Sequence, residues 1–374
     1  MRLDRAKLPV HDLNALTDDE LWCLHNDAIA AQSNAVARRS RAKRAQVSLL
    51  DVKIELAHRM LSSCRLCERH CGVDRTRGQT GFCGVGGDSF YFFEQTLWGE
   101  EPPLVPSHEV FFSGCNLRCK FCYSWESLFD THRGVLFEPR AFADLVSSRR
   151  REGAANLNLI GGEPTVHLPS ILKSLKLVDN PTPVVWNSNF HMSVETMRLL
   201  HGLVDLYLGD FRFGNDRCAQ EIGGVSGYVA AAERNFLMAA ESGDLIIRHL
   251  VLPGHVDCCL RPIAQWVARR LPDVPFNLMF QYTPFHDALD DPELCRSLTP
   301  EEELEATNIV SALGLNTQSW KRPLKRGPQP RAIGKGELTT TITIRPDGRV
   351  GVMHLHGELL DIVQSLAQGG QSDD

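Results

Sequence analysis

The chain has 374 residues, a hydrophobic content of 43% and a formal net charge of −6 at pH 7. These values predict a soluble globular protein with one large domain plus attachments, and they exclude a disordered or fibrous chain. The acidic balance gives no reason to expect nucleic acid as a partner. No apolar run approaches the roughly 18 to 20 residues that cross a bilayer, so no membrane contact is expected. The charged start does not resemble a secretory signal, and we expect a cytoplasmic protein.

A helical N-terminal extension is predicted over residues 1–60. Residues 17–20 (Thr-Asp-Asp-Glu) are typical of a capped helix start, and apolar residues follow at helical spacing. A second helix is predicted over residues 47–61. A Cys-rich segment, residues 61–105, comes next, and its aromatic run 90–93 (Phe-Tyr-Phe-Phe) predicts a strand buried on both faces.

From residue 106 to about residue 290, short β-rich runs alternate with amphipathic stretches. Such alternation predicts βαβ units and a parallel sheet, either as a partial (β/α)6 TIM-type barrel or as an open sheet. Reactive groups should collect beyond the carboxyl ends of the strands. The predicted strands are 109–113, 157–160, 183–187, 203–208, 245–252 and 276–281, and the predicted helices are 139–150, 168–178, 194–203, 227–240 and 260–271.

Residues 291–374 are predicted to form a C-terminal extension. Thr299 is a capping residue, and acidic residues fill the first turn of the helix behind it. A hairpin is predicted over residues 342–350, with Pro-Asp-Gly as its turn. A terminal helix completes the predicted extension.

The central cysteine motif consists of Cys115, Cys119 and Cys122, spaced C-x3-C-x2-C directly after a predicted strand. Seven of the twelve cysteines fall between residues 64 and 122, and in a reducing compartment such bunching indicates metal rather than disulfides. Three thiolates suit one cubane iron–sulfur cluster. Three ligands for four irons leave one iron open to a small molecule. The remaining cysteines are scattered and mostly predicted to be packed thiols, including the adjacent pair Cys258-Cys259, since neighbours rarely bind one ion together.

With Phe121 before its last cysteine, this motif resembles the signature of the radical S-adenosylmethionine (SAM) superfamily. The resemblance implies a [4Fe–4S] cluster whose open iron binds the amino and carboxylate groups of SAM. Cleavage of SAM then yields a 5′-deoxyadenosyl radical that abstracts hydrogen from a substrate. After the next predicted strand, Gly161, Gly162, Glu163 and Pro164 match the GGEP motif of the family, which implies contacts with the SAM amino group.

More specifically, much of residues 64–284 resembles proteins related to pyruvate formate-lyase activating enzyme. The resemblance implies that Asp210 and Arg212 lie at positions that contact SAM, where Arg212 replaces the lysine of activases. Asn187 and Asn189 are candidate polar contacts to SAM, and Arg248 is a candidate partner of its carboxylate. The segments that carry the resemblance are 99–103 (GEEPP), 185–189 (VWNSN), 210–216 (DFRFGND) and 248–255 (RHLVLPGH).

The upstream cysteine motif consists of Cys64, Cys67, Cys71 and Cys83, spaced C-x2-C-x3-C-x11-C. Four thiolates can close a tetrahedral site completely, as structural zinc or as a full cubane. The spacing leaves three alternatives open: an auxiliary [4Fe–4S] cluster, a zinc ion, or no metal. His70 is an alternative ligand to Cys71.

Together these features predict a radical SAM oxidoreductase. By resemblance, its task is hydrogen abstraction from a protein glycine, as in activation of a glycyl-radical enzyme, with reduced flavodoxin or ferredoxin as electron donor. Radical modification of a peptide or a small metabolite is the alternative within catalysis. From another class, a non-catalytic iron–sulfur electron carrier or sensor is the alternative, and the Gly-Gly-Glu-Pro segment argues against it.

Overall fold

The computed structural model describes residues 8, 12–34, 47–317, 341–344 and 350–353. The chain divides into two compact units, Met1–Pro328 and Gln329–Asp374. The first unit contains the helical extension, the Cys-rich segment and the alternating α/β region. None of the described helices is both long and apolar enough to span a membrane.

Two helices precede the Cys-rich segment, α1 (Asp18–Asn34) and α2 (Leu49–Arg59). Ser48 begins α2 with a capping box, because its hydroxyl accepts from the Asp51 backbone N–H while the Asp51 carboxylate accepts from the Ser48 N–H. The apolar face of α2 is buried in the main core.

One eight-stranded sheet organises the first unit. The strands are β1 (Phe90–Leu97), β2 (Ser107–Phe112), β3 (Val135–Leu136), β4 (Asn156–Gly161), β5 (Val184–Ser188), β6 (Leu206–Asp210), β7 (Asp244–Leu250) and β8 (Phe276–Met279). Their order is β3-β1-β2-β4-β5-β6-β7-β8, where β1 pairs antiparallel with both neighbours and the six strands β2, β4, β5, β6, β7 and β8 pair in parallel. These six parallel strands and the open sheet match the predicted partial barrel.

The remaining helices are α3 (Trp125–Phe129), α4 (Pro139–Arg151), α5 (Leu168–Leu177), α6 (Val194–Leu200), α7 (Asp216–Gly223), α8 (Tyr228–Ser242), α9 (Arg261–Arg270) and α10 (Pro300–Ala312). Between the strands they match the five predicted helices and add two short ones, α3 and α7. One turn of π-helix, Val256–Leu260, leads into α9, and a 3-10 turn, Pro164–His167, leads into α5.

The aromatic run 90–93 forms the start of β1, but the expectation that both faces are buried is wrong. Most of β1 is half-buried, and Phe93 is 37% exposed. The reason is its position: β1 lies next to the two-residue edge strand β3, outside the parallel strands that helices cover.

In the second unit, β9 (Thr341–Ile344) and β10 (Val350–Met353) pair antiparallel, with Ile344 opposite Val350. These are the two strands expected on either side of Pro-Asp-Gly, and the predicted turn itself lies outside the described residues. The predicted terminal helix lies outside the described residues.

Candidate active site

The central cysteine loop follows the carboxyl end of β2. Cys115 and Cys119 are buried, and Cys122 is half-buried. Burial raises the pKa of all three thiols, that of Cys122 to about 11. Neighbouring thiols contribute to the shifts of Cys115 and Cys122. Such thiols become stable thiolates only beside a positive partner, and a metal centre supplies one.

The central cysteine loop is held by hydrogen bonds to α7. The backbone N–H groups of Arg118 and Lys120 donate to the carbonyls of Gly223 and Ile222, at 2.8 and 2.9 Å. The last turn of α7 therefore fixes the residues between the three cysteines.

The glycines of the Gly-Gly-Glu-Pro segment allow β4 to approach this loop. A Cβ at Gly161, where φ is +108°, would lie 2.1 Å from the Phe112 backbone N, and one at Gly162 would lie 1.9 Å from the Gly114 carbonyl O. Any side chain would therefore meet backbone. The close approach that these glycines permit is between two segments of the protein's own chain.

Glu163 ties the end of β4 to the end of β5. Its buried carboxylate accepts from the Thr165 N–H and hydroxyl at 3.1 and 2.6 Å, from the Ser188 hydroxyl at 2.8 Å and from the Asn189 N–H at 3.0 Å. Burial raises its pKa, and these hydrogen bonds oppose the shift. The carboxylate is thus fixed at the edge of the sheet close to Cys115, whose pKa it raises.

Asn189 continues this network to the cysteine loop. Its side-chain amide donates to the Asn116 side-chain oxygen at 2.7 Å and lies 3.7 Å from the Cys115 sulfur. Two predicted site residues, Glu163 and Asn189, are therefore linked to the first cluster cysteine by consecutive contacts.

The other predicted site residues converge at the ends of β5, β6 and β7. Arg248 donates to Asp210 at 3.1 Å, to Asn187 at 2.7 Å and to Glu100 at 3.2 Å. Arg212 donates to the second Asp210 oxygen at 2.7 Å. We call these five residues the acid–arginine group. Arg248 thus already has carboxylate partners within the protein.

Glu101 is the sixth member of the acid–arginine group, and neither it nor Glu100 is among the predicted site residues. Glu101 lies 3.8 Å from Arg248 and accepts from Asn277 at 2.9 Å. Burial raises the pKa of both carboxyls to about 7, and the charge of Arg248 opposes the shift. The signal available in the sequence was the segment 99–103, which carried the resemblance.

Several buried polar atoms around this group have no hydrogen-bond partner among the described residues. They are Glu101 Oε2, Asn187 Nδ2 and Arg212 Nε. Unpaired buried donors and acceptors cost free energy unless a ligand or water completes them. A ligand with both an ammonium and a carboxylate group offers matching partners, so these residues fit SAM.

The upstream cysteines lie against the central loop. Cys64, Cys67 and Cys83 are buried and Cys71 is exposed. Burial raises the pKa of Cys67 to about 12, Cys83 and Cys64 add to the shift, and the Asn116 side chain opposes it. The Asn116 side-chain oxygen lies 3.8 Å from the Cys115 sulfur.

Two arginines accompany the upstream cysteines. Arg75 is buried, lies 4.0 Å from the Cys64 sulfur and donates to the Val166 carbonyl at 2.9 Å. Arg69 donates to the Asn116 carbonyl at 2.5 Å and stacks on the Phe82 ring at 3.3 Å. Both cations favour thiolates in this segment.

Comparisons with known proteins agree with this arrangement. The sequence profile of the radical SAM superfamily matches residues 110–267. An uncharacterized protein of Methanocaldococcus jannaschii is 37% identical over 315 residues, which are 83% of this chain and 92% of the archaeal one. The chain belongs to the radical SAM superfamily. Membership implies that it binds a [4Fe–4S] cluster and SAM.

Among solved structures, similarity is found to Streptococcus suis SuiB bound to its precursor peptide SuiA, with a TM-score of 0.41 and 12% identity over 54% of this chain. A radical SAM methyltransferase from Sphaerobacter thermophilus matches with a TM-score of 0.39 and 15% identity over 56% of this chain. The chain spans 45% of the SuiB chain and 65% of the methyltransferase chain.

Proposed function

We propose that this protein is an enzyme in which Cys115, Cys119 and Cys122 hold the [4Fe–4S] cluster and the acid–arginine group binds SAM. When bound, these cofactors supply a 5′-deoxyadenosyl radical for hydrogen abstraction. The proposal is carried by one observation: two buried thiols and one half-buried thiol lie beside the acid–arginine group, in which buried polar atoms have no partner among the described residues.

Within this group, the acids offer partners to a cationic ligand. Among the residues that the structure describes, Asp210, Glu100 and Glu101 make ion pairs with two guanidinium groups, those of Arg212 and Arg248. SAM carries a sulfonium and an ammonium, so ionised carboxylates attract it. The free Nε of Arg212 is the proposed partner of its carboxylate. Arg248 would bind the same carboxylate of SAM while it keeps its contacts with Asp210 and Glu100.

At the amino-group end, Gly161, Gly162 and Glu163 keep the role that the family motif implies. Four hydrogen bonds within the protein fix the Glu163 carboxylate, and the Asn189 side chain is fixed beside the Cys115 sulfur. Fixed donors and acceptors bind without reorganisation. These residues therefore orient SAM rather than react with it.

We propose a polypeptide as the substrate, a glycyl-radical enzyme first. Support comes from an apolar rim beside the central cysteine loop, formed by Tyr123 (57% exposed), Phe129 (61%) and Leu289 (60%). Tyr123 and Phe129 follow the loop in the chain, and Leu289 follows Ala288, whose backbone N–H donates to the carbonyl of Lys120 in the loop. Large exposed apolar side chains that cluster mark surfaces for macromolecular partners. A small metabolite would be enclosed and would not need this rim. Radical modification of a peptide uses the same surface and is the second candidate.

Formation of 5′-deoxyadenosine tests the cluster and SAM assignments. Anaerobic protein mixed with SAM and dithionite should release 5′-deoxyadenosine and methionine, and Cys119→Ala should release neither. Cys295→Ala is the matched control, because this cysteine is exposed and outside the cysteine groups. Cleavage that survives Cys119→Ala would remove the basis of the proposal.

Isotope transfer tests the substrate class. With a glycyl-radical enzyme carrying deuterated glycine, the deuterium should appear in 5′-deoxyadenosine, and reduced flavodoxin or ferredoxin should replace dithionite. Tyr123→Ser and Phe129→Ser should reduce this transfer while leaving SAM cleavage without substrate unchanged. Undiminished transfer in both variants would argue against a polypeptide docking on the rim.

For the upstream motif, we propose a second [4Fe–4S] cluster held by Cys64, Cys67, Cys71 and Cys83, with zinc as the alternative. Its support is position: Arg69 of the Cys-rich segment donates to the carbonyl of Asn116, the residue that follows Cys115. A cluster held by these four cysteines would supply electrons to the central one.

A further inference from the structure

Three scattered cysteines and one histidine meet at a place away from both cysteine motifs. Cys218 lies on α7, His255 follows β7, and Cys258 and Cys259 lie on the π-helical turn. Their donor atoms all lie within 4.8 Å of one another, and all four residues are buried or half-buried. From their scattered positions in the sequence, these cysteines were predicted to be mostly packed thiols, and the prediction did not include this group.

The distances within the group match those around a single tetrahedral ion. The Cys218 and Cys258 sulfurs are 3.7 Å apart, and His255 Nδ1 lies 3.7 Å from Cys218 Sγ and 3.2 Å from Cys258 Sγ. A tetrahedral zinc with bonds of about 2.3 Å to sulfur and about 2.0 Å to nitrogen separates two sulfurs by about 3.8 Å and sulfur from nitrogen by about 3.6 Å. The observed spacing therefore suits one ion.

The adjacent pair reaches one point because of its backbone. Cys258 and Cys259 lie within Val256–Leu260, whose wider π-helical turn directs both sulfurs toward Cys218. Such turns are rare and occur frequently at functional sites. A continuous α-helical start to α9 would not be expected to bring two adjacent sulfurs to one ligand position.

The surroundings orient the donors as metal sites usually require. Asn215 donates from its side-chain amide to the Cys218 sulfur at 3.2 Å and to the Cys258 carbonyl at 2.7 Å. The other imidazole nitrogen of His255 lies 3.4 Å from a Glu293 carboxylate oxygen. A carboxylate behind a ligating histidine fixes its ring and raises its basicity.

We propose that Cys218, His255, Cys258 and Cys259 form a structural zinc site with three sulfur ligands and one nitrogen ligand. All four positions of the tetrahedron are filled by protein, so the ion has no open position for substrate. The site is independent of the cofactors assigned above and holds whether or not the upstream motif carries iron.

Its position gives the ion a task at the catalytic edge. It joins the start of α7 to the turn after β7, and the last turn of α7 holds the central cysteine loop through Gly223 and Ile222. The Asp210–Asn215 stretch between β6 and α7 carries Arg212. Gly214 in this stretch packs directly on Cys259, because a Cβ at Gly214 would lie 2.2 Å from the carbonyl O of Cys259. Zinc would therefore position both the cluster loop and Arg212.

Metal analysis of the full-length protein, purified anaerobically, tests the site. Cys258→Ala should contain about one zinc per chain less than wild type. Cys295→Ala should contain as much zinc as wild type, and Cys64→Ala should lose only the metal of the upstream motif. In wild type, zinc-edge X-ray absorption should show sulfur at about 2.3 Å together with nitrogen at about 2.0 Å. Equal zinc content in wild type and Cys258→Ala would overturn the proposal.

A measurement on wild type guards against a variant that fails to fold. Alkylation mapped by mass spectrometry should modify Cys218 and Cys258 at least tenfold faster after a zinc chelator is added, with the rate at Cys295 unchanged. Iron loss from the central cluster should accelerate in parallel. Chelator-independent rates at both thiols would mean that no ion binds there.

Discussion

Buried carboxylates distinguish the acid–arginine group at the level of single residues. Glu101 is 6% exposed, and one of its oxygens has no hydrogen-bond partner among the described residues. Arg248 compensates part of the buried charge of three acids, and burial raises the pKa of two of them, Glu100 and Glu101, to about 7, so these two carboxyls are partly protonated at neutral pH. A cationic ligand entering this group would replace those protons.

Glu101→Gln should stabilise the ligand-free protein at high pH. Burial raises the pKa of Glu101 to about 7, so between pH ~4.5 and ~7 the native state binds more protons than the unfolded one. Native stability therefore falls as pH rises through that window. At pH 8 the variant should gain on the order of 1 to 3 kcal/mol in free energy of unfolding, and at pH 4.5 nothing. Denaturant titrations at both pH values measure this.

The control for this comparison is Glu303→Gln, on the exposed surface of α10. It should leave the denaturation midpoint unchanged at both pH values. A pH-independent gain for Glu101→Gln would show that the carboxyl stays ionised throughout and that our account of its burial is wrong.

At the scale of elements, the contact between β4 and the cysteine loop depends on Gly161. Gly161→Ala should lower the free energy of unfolding by more than about 3 kcal/mol, because its Cβ would overlap the backbone of β2. Cluster iron should be lost with it, since β2 leads directly into Cys115. Gly227→Ala is the matched control. It also has positive φ but open space around the new Cβ, so only about 1 kcal/mol is expected.

The docking of α2 on α6 relies on one buried cation. Lys53 Nζ donates to the carbonyls of Leu199 at 2.7 Å and His201 at 3.0 Å, at the end of α6. Lys53→Met should cost about 1 to 3 kcal/mol, because these carbonyls lose their partner. Burial lowers the pKa of Lys53 to about 7, so wild-type stability rises with pH from about 7 to 10 and the penalty grows over that range. Lys173→Met, exposed on α5, should show neither effect.

The elements that sequence predicted well are those with strong local signals. The six parallel strands are apolar runs bounded by turn residues, and each forms within a few residues of its predicted place. Helix α7 was missed although its Asn215 cap is a local signal, because the helix has only eight residues and its last turn depends on a tertiary contact with the cysteine loop. Meeting of Cys218 with Cys258 was beyond prediction for the same reason: it depends on how the turns after two strands pack.

For the whole molecule, spacing identified two cysteine motifs but not their contact. The structure shows that the Cys-rich segment packs on the central loop through Arg69, Asn116 and Phe82. Arg118 extends this junction, because it stacks on Phe82 at 4.5 Å and donates to the Phe82 carbonyl at 2.7 Å. The Cys-rich segment and the sheet edge are thus one site.

This contact predicts how loss of the upstream motif affects the enzyme. Cys83→Ala should lower the iron content from about eight to about four per chain, because one of two cubanes is lost and the central thiols are untouched. SAM cleavage driven by dithionite should persist, since a small reductant reaches the central cluster directly. Cleavage driven by reduced flavodoxin or ferredoxin should fall at least tenfold, because the variant lacks the second cluster that we propose as the electron relay. Iron analysis and the two assays, with Cys295→Ala as control, measure these quantities. Loss of one zinc with iron unchanged would assign the upstream motif to a zinc staple, and equal losses with both reductants would show that it supports the fold of the loop and carries no electrons.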